Sequence, residues 1–285
     1  MTQWIDETLH SDFRFSLKAE KVLLDTRTPY QHLVIFENGE FGRVMMLDGT
    51  VQLTTRDEFI YHEMLTHVPL FAHGGAARVL IVGGGDGGIL REVLRHETVE
   101  KATLCELDAQ VIEAAKAHLP EVSAGAFEDA RTDLVIADAA ELVAETDQRF
   151  DAILVDSPDP VGPAEVLFGE KFYSNCKRAL AEGGVLATQN GLPFVQAQEL
   201  RQSMARLRSL FVDVSAYMAT IPSYVGGEMA FGWASDNPEL RGVPLGLLES
   251  RLKSAKMQLR YYTPELHQAA FALPKYVGEI AKPTD

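Results

Sequence analysis

Cysteine is scarce in this chain, basic residues are outnumbered, and no long apolar run occurs. Only two cysteines are present among 285 residues, Cys105 and Cys176. Both sit in apolar-periodic stretches, which fits buried free thiols better than a disulfide. No Cys-x-x-Cys or Cys/His cluster points to a metal. Lysine and arginine number 26 against 41 aspartates and glutamates, giving a formal charge of -15. So acidic a balance argues against holding DNA or RNA through a basic face. It serves solubility and, where acids gather, attracts cations. No apolar stretch approaches the ~18 residues that cross a membrane. The opening Met1–Glu7 does not read as a secretory leader. The expectation is a soluble, cytoplasmic protein with no membrane and no nucleic-acid partner. Internal repeats and low-complexity segments are also missing.

The periodicity divides the chain in two. Residues 13–55 predict short strands over Phe13–Leu24, Leu33–Phe36, Val44–Leu47 and Val51–Thr54, with hairpin turns at Asn38-Gly39 and Asp48-Gly49. Asp57–Ala72 predicts a helix whose apolar face is Phe59, Ile60, Met64, Leu65 and Val68. From residue 78 strands alternate with helices. Strands are expected at Arg78–Val82, Lys101–Glu106, Thr132–Ile136, Asp151–Asp156 and Val185–Gln189. Helices are expected between them, the one over Glu170–Leu180 closed by Gly183-Gly184. A pair of edge strands, Val212–Ala219 and Met229–Ser235, follows a helix over 195–210. The fold class is α/β: an open, mostly parallel doubly wound sheet preceded by a small antiparallel β domain. The expected division is 1–56 and 57–285.

Chemistry concentrates at Gly83-Gly84-Gly85-Asp86-Gly87-Gly88, directly after the apolar run Val79–Val82. A strand that runs into clustered glycines and then a helix brings a ligand against bare backbone, here at Gly83 and Gly85. Asp86 sets the sign of that ligand. Its carboxylate would repel a pyrophosphate, which excludes a dinucleotide-dependent dehydrogenase, and would welcome a positive charge. Acids also follow the next strands: Glu106, 23 residues beyond Gly83, then Asp138, then Asp156 and Asp159 in Asp156-Ser157-Pro158-Asp159-Pro160. The spacing of Glu106 suits ribose hydroxyls, and Asp138 suits an adenine amino group. Each acid alone is weak evidence, since Asp108 and Asp138 can both serve as helix N-caps. Four acids at four strand ends would repel one another without cations to neutralise them. The ligands so implied are a nucleoside carrying a cation and a second cationic molecule.

With those residues in place, the chain resembles the spermidine synthases, aminopropyltransferases on a methyltransferase-type Rossmann-like fold, in their bacterial form. The marks are Val51-Gln52 and Arg56–Met64, GGGDGGILRE over Gly83–Glu92, DSPDPVGP over Asp156–Pro163, Gln189-Asn190-Gly191, and Ile221-Pro222-Ser223-Tyr224. The resemblance implies that Asp86 and Gln31 hold the aminopropyl end of decarboxylated S-adenosylmethionine, Glu106 its ribose and Asp138 its adenine. It makes Asp156 the base near the attacking amine, with Tyr61 beside it. It lines the diamine channel with Tyr61, His62, Asp159 and Tyr224. It further implies putrescine as acceptor, no cofactor beyond the sulfonium co-substrate, and a homodimer or homotetramer. Pro158, His32, Ala139 and Ala130 depart from the residues usual in the family; none carries a proposed catalytic role.

The chemistry expected is an SN2 displacement at a carbon beside a sulfonium. The leaving thioether is neutral and needs no acid, so positioning and a neutral amine suffice. Asp156 near ~3.9 and an alkylammonium near ~10.4 are separated by roughly 6.5 units, which opposes simple proton transfer. Other readings are transfer to cadaverine, agmatine or spermidine, a small-amine N-methyltransferase, and a non-catalytic polyamine or nucleoside sensor. Arg91-Glu92 reads as a structural ion pair, Gln189 as support for a loop, and Trp4 and Trp233 as core or interface residues.

Overall fold

The computed structural model describes residues 3–158 and 162–282. Two strands, Gln3–Glu7 (β1) and Phe15–Ala19 (β2), pair as an antiparallel ribbon. Lys21–Arg27 (β3), His32–Asn38 (β4), Gly42–Leu47 (β5) and Thr50–Thr54 (β6) form an antiparallel sheet in chain order. The single strand expected over Phe13–Leu24 is therefore two. The chain breaks at Glu20, so that Leu17 and Ala19 of β2 pack against Phe36 and Val44 on one face of the four-stranded sheet. Leu33, Ile35 and Leu53 pack on the other face. The ribbon strand β1 carried no alternation in sequence.

Glu58–His73 (α1) then leads into a seven-stranded sheet. Its strands are Arg78–Gly83 (β7), Lys101–Glu106 (β8), Thr132–Ile136 (β9), Phe150–Asp156 (β10), Leu180–Gln189 (β11), Asp213–Thr220 (β12) and Glu228–Ser235 (β13). The order is β12-β13-β11-β10-β7-β8-β9, parallel from β11 to β9 and antiparallel at β13 and β12. The chain winds outward from β7 through β8 to β9, then returns to β10 on the other side of β7. That reversal creates the crevice in which such sheets bind ligands, at the carboxyl ends of β7 and β10.

The helices are Gly88–Leu94 (α2), Ala109–His118 (α3), Pro120–Ser123 (α4), Ala139–Glu145 (α5), Glu170–Ala179 (α6), Ala197–Leu210 (α7), Leu245–Ala255 (α8), Pro264–Ala270 (α9) and Lys275–Ile280 (α10). Apolar clusters fill both sides of the sheet. One gathers Met64, Leu65, Val68, Ile81, Leu90 and Trp233; the other gathers Leu80, Ile153, Phe172, Leu200 and Met204. Gly183-Gly184 do not close a helix. α6 ends at Ala179, Leu180 pairs with Phe150, and the next pair is Ala152 with Val185. The intervening residues loop out, and Gly184 is hemmed in by the Ala181 and Phe150 carbonyls. The glycines thus serve a bulge inside β11. Cys105 and Cys176 are both free and buried.

Nearly every side of α1 is buried, not just the apolar face. Most of its polar residues are therefore ties to neighbouring segments, since a buried polar group needs a partner; the Thr66 hydroxyl has none among the described residues. Glu63 accepts N–H bonds from Arg260, Tyr261 and Tyr262, each at 2.8 Å, and so anchors the C-terminal tail. Asp57 accepts from the Thr54 hydroxyl at 2.6 Å and from the Ser223 N–H at 2.7 Å. No helix among the described residues is long and apolar enough to cross a membrane.

His267 on α9 is buried, with Nδ1 2.9 Å from the Tyr262 hydroxyl. Burial, aided by the Arg251 charge, lowers its pKa from 6.5 to about 4. A histidine neutral in the fold and titrating near 6.5 when unfolded contributes stability that is complete above pH 6.5 and is lost as pH falls from there toward 4. The loss from this group between pH 7.5 and 5 is about 2 kcal/mol. Urea unfolding at both pH values should show that His267→Gln loses less stability on acidification than the parent, by about that amount; an identical pH dependence would contradict the assignment.

Candidate active site

A cavity of about 450 Å³ lies over the carboxyl ends of β7, β8 and β10 and is roofed by the N-terminal β domain. That volume is in the range of small-molecule sites. Its wall carries Glu7, Asp48, Asp86, Glu106, Asp108, Asp138 and Asp156, and no lysine or arginine among the described residues. Of the sequence candidates, Gln31, Tyr61, His62, Gly83, Gly85, Asp86, Glu106, Asp138, Asp156 and Tyr224 all reach this cavity. Asp159 lies outside the described residues.

The β7–α2 turn sets the closest approach. Asp156 pairs with Gly83 across β10 and β7, and the Gly84 N–H bonds the Asp156 carbonyl at 3.2 Å. Gly83 has φ +77°, and a Cβ there would run into that carbonyl. Only glycine lets the two strand ends close up, which brings the side chains of Asp86 and Asp156 into one pocket. Asp86 turns back on its own loop and accepts the Gly88 N–H at 2.7 Å. Burial first, then the Asp86 charge, raises the Asp156 carboxyl to about 7, against the lowering pull of His62 and Tyr61. The Tyr61 hydroxyl donates to Asp156 Oδ1 at 2.6 Å. Burial and the facing carboxylate hold that phenol well above its usual range, so it stays a donor.

His62 is buried between two acids. Its Nδ1 is 2.5 Å from Glu58 Oε2 and its Nε2 is 3.4 Å from Asp86 Oδ1. Burial favours the neutral ring, but Asp86 and Glu58 together outweigh it and raise the imidazole to about 9. Donor atoms of His62, Asp86 and Asp156 lie within 4.8 Å of one another. Both ring nitrogens of His62 are aimed at carboxylates rather than into open space. The acids of the trio suit an organic cation, as does the rest of the wall.

At the opposite end, Glu106 accepts the Asp108 N–H at 2.9 Å, and burial raises its carboxyl to about 7. Asp108 caps α3 through the Gln110 N–H at 3.0 Å, as its place before a helix predicts, and also accepts from the Gln31 amide at 3.0 Å. Asp138 caps α5 through the Ala140 N–H at 2.7 Å while remaining on the cavity wall. Capping engages one oxygen, Oδ1, so the two roles are compatible. The Cys105 thiol also reaches the wall, but burial pushes it up to about 12, which excludes it as a nucleophile at neutral pH.

Tyr224 donates to the Gln52 carbonyl at 2.6 Å, and its ring lies 6.3 Å from that of Tyr61. Gln189 donates to the Ser157 and Pro158 carbonyls at 3.0 and 3.3 Å, supporting the loop and also lining the cavity. Arg91 pairs with Glu92 at 2.8 Å and, beyond the expected pair, with Glu58 at 2.9 Å. Trp233 is buried and Trp4 is 61% exposed. Sequence reasoning missed Glu7, which lines the cavity from β1 and accepts the Val51 N–H at 2.9 Å. It also missed Glu58, the first residue of α1, as the partner of His62.

Residues 58–242 match a family model described as spermine/spermidine synthase domain, and residues 3–55 match one described as spermidine synthase tetramerisation domain. The polyamine aminopropyltransferase of Ruegeria sp. (strain TM1040) is 53% identical over 277 residues, covering 97% of this chain and 98% of that one. Polyamine aminopropyltransferase 1 of Pseudomonas aeruginosa is 52% identical over 271 residues, covering 95% of each. A crystal structure of a spermidine synthase with the transition-state analogue AdoDATO superposes with a TM-score of 0.93 at 38% identity, over 98% of this chain and 94% of that one. The spermidine synthase of Thermotoga maritima gives 0.90 at 37%, over the same shares. An acid-lined crevice on this sheet order, in a chain matched over 97% of its length, identifies it as an enzyme of the spermine/spermidine synthase family.

Proposed function

We propose that the enzyme moves the aminopropyl group of decarboxylated S-adenosylmethionine to putrescine, giving spermidine and methylthioadenosine. The observation that carries this reading is the cavity wall: seven carboxylates and no lysine or arginine among the described residues. A wall of that sign favours a sulfonium and ammonium groups and disfavours a phosphate or a free carboxylate. On this reading Glu106 binds the ribose, Asp138 the adenine, and Asp86 with Gln31 the aminopropyl end. Gly83 and Gly85 admit the donor against backbone. Asp156, Tyr61, His62 and Tyr224 surround the acceptor, and Asp159 takes its far ammonium. The match of residues 3–55 to a tetramerisation domain, with Trp4 and Phe13 exposed, supports assembly through the N-terminal strands.

In the transfer, the lone pair of one putrescine nitrogen attacks the methylene carbon bound to sulfur. The C–S bond breaks, its electron pair stays on sulfur, and the amine proton passes to Asp156. A carboxyl near 7 accepts that proton more readily than an ordinary aspartate. The gap to a free alkylammonium narrows from roughly 6.5 units to about 3.4. Tyr61, kept protonated, holds Asp156 in place by its 2.6 Å bond.

Two substitutions test these roles. Asp156→Asn should lower kcat with putrescine by at least about 10²-fold, the range of a lost general base; an unchanged rate removes Asp156 from the chemistry. Asp86 faces the end of the donor that carries a carboxylate in ordinary S-adenosylmethionine and none in the decarboxylated form. Asp86→Asn should therefore narrow the preference for the decarboxylated donor, read as the ratio of kcat/KM values for the two. Methylthioadenosine release should be followed with putrescine, cadaverine, agmatine and spermidine in parallel. Best turnover with another amine would move the acceptor assignment, and turnover only with the ordinary donor would make the enzyme a methyltransferase.

A further inference from the structure

From the acids that face the acceptor a line of alternating charge runs back into the protein, and its far end lies outside the cavity. Asp86 is followed by His62, His62 by Glu58 and Glu58 by Arg91. Arg91 clasps Glu58 with two nitrogens, Nη2 at 2.9 Å from Oε2 and Nη1 at 3.2 Å from Oε1. It is fixed in turn by the Val122 carbonyl at 2.6 Å and by Glu92 at 2.8 Å. Neither Glu58 nor Arg91 lines the cavity, so neither touches a substrate. The ring they serve is locked in place: a Cβ at Gly88 would run into His62.

The groups that face His62 come from four elements. Glu58 and Tyr61 lie on its own helix, Asp86 on the β7–α2 turn, Asp156 at the end of β10, and Arg91 on α2 through Glu58. Two carboxylates alone would hold an acceptor amine in its charged, unreactive form. A cation fixed behind them acts in the opposite direction, because it repels an ammonium and not a neutral amine. We propose that Glu58 and Arg91 are positioning residues for the transfer: Arg91 fixes the Glu58 carboxylate against the ring, Glu58 keeps His62 an imidazolium beside Asp86, and this fixed cation biases the attacking amine toward its neutral, nucleophilic form. The proposal rests on the reading of the site as an amine-alkylating centre. Loss of the Glu58 carboxylate leaves the total charge of the cluster unchanged once His62 gives up its proton. The positive charge removed, however, is the one nearest the amine.

The test uses the full-length enzyme and its Glu58→Gln and Arg91→Gln variants, with Arg91→Lys as the charge-preserving control. In enzyme labelled with ¹⁵N-histidine, the His62 ring, identified by its loss in His62→Gln, should show the imidazolium pattern at pH 8 in the parent and in Arg91→Lys. It should show the neutral pattern in Glu58→Gln. In the pH profile of kcat/KM for putrescine, the ascending limb should move up by about one unit in Glu58→Gln and Arg91→Gln. Activity would then be about tenfold lower near neutrality and would converge with the parent at high pH. KM for the donor should stay the same. A uniform loss across all pH values, or a His62 ring that stays charged in Glu58→Gln, would overturn the proposal. A parent enzyme without aminopropyl transfer would instead defeat the functional reading, and the ring spectrum, which needs no turnover, would still decide the charge on His62. If Glu58→Gln does not fold, the Arg91→Gln and Arg91→Lys pair still tests, through the same pH profile, whether Glu58 must be held by a cation; an Arg91→Gln profile identical to the parent would overturn the proposal.

Discussion

Asp86 and Asp156 are forced together by the sheet. β7 and β10 are neighbours because the winding reverses between them, and Gly83 lets the strand ends close until the Gly84 N–H meets the Asp156 carbonyl. Two buried carboxylates this close repel, and burial penalises each. The surrounding structure reads as a set of answers to that repulsion. Tyr61 gives Asp156 a hydrogen bond, the Gly88 N–H gives one to Asp86, and His62 puts a positive charge next to Asp86. What remains unanswered is an excess of negative charge on the cavity wall, which only a cationic occupant neutralises.

Helix α1 is the element through which these answers are delivered. It carries Glu58, Tyr61 and His62 toward the cavity, and Asp57 and Glu63 toward other parts of the chain. Asp57 fixes the segment that presents Tyr224, and Glu63 fixes the tail that begins near Arg260. A helix that is polar on so much of its buried surface is stable because nearly all of those groups have partners, the Thr66 hydroxyl being an exception among the described residues. The same helix faces the apolar cluster through Met64, Leu65 and Val68. Its position relative to the sheet is therefore doubly determined, by packing and by directed bonds, as a site that must hold a ring between two carboxylates requires.

Much of this was legible in the sequence. The β7 to β10 strands showed as apolar runs ending in acids, and the glycine cluster with Asp86 gave both the place and the sign of the ligand. The parts that escaped share a physical cause. β1 shows no alternation, and the break at Glu20 follows from which face of β4 the strand must cover. Gly183-Gly184 signal a turn, and nothing local says whether that turn ends a helix or bulges a strand. Glu7 belongs to the site only because β1 lies beside Val51, 44 residues later in the chain. The Glu58–Arg91 contact spans 33 residues and depends on how α1 packs on α2. Short-range pattern reveals elements and strand-end residues; it does not reveal which side chains meet after the elements pack.

The proposed chemistry explains why the site keeps such unequal electrostatics along its length. In the transfer a positive charge leaves sulfur and arrives on nitrogen, so the sum of charges in the cavity is conserved while its position shifts. Uniform attraction for cations would bind substrates and transition state alike and would not speed the step. What accelerates it is a field that grows more favourable toward the nitrogen as the bond forms. Asp156 stands at the acceptor end, raised to about 7 and held by Tyr61, ready to take the proton that makes the new nitrogen neutral. His62 penalises the ammonium before reaction and so favours the amine bound neutral; the proton freed on nitrogen as the C–N bond forms is the one Asp156 accepts. The wall of acids binds, and the buried ring among them sets which protonation state of the amine is held for attack.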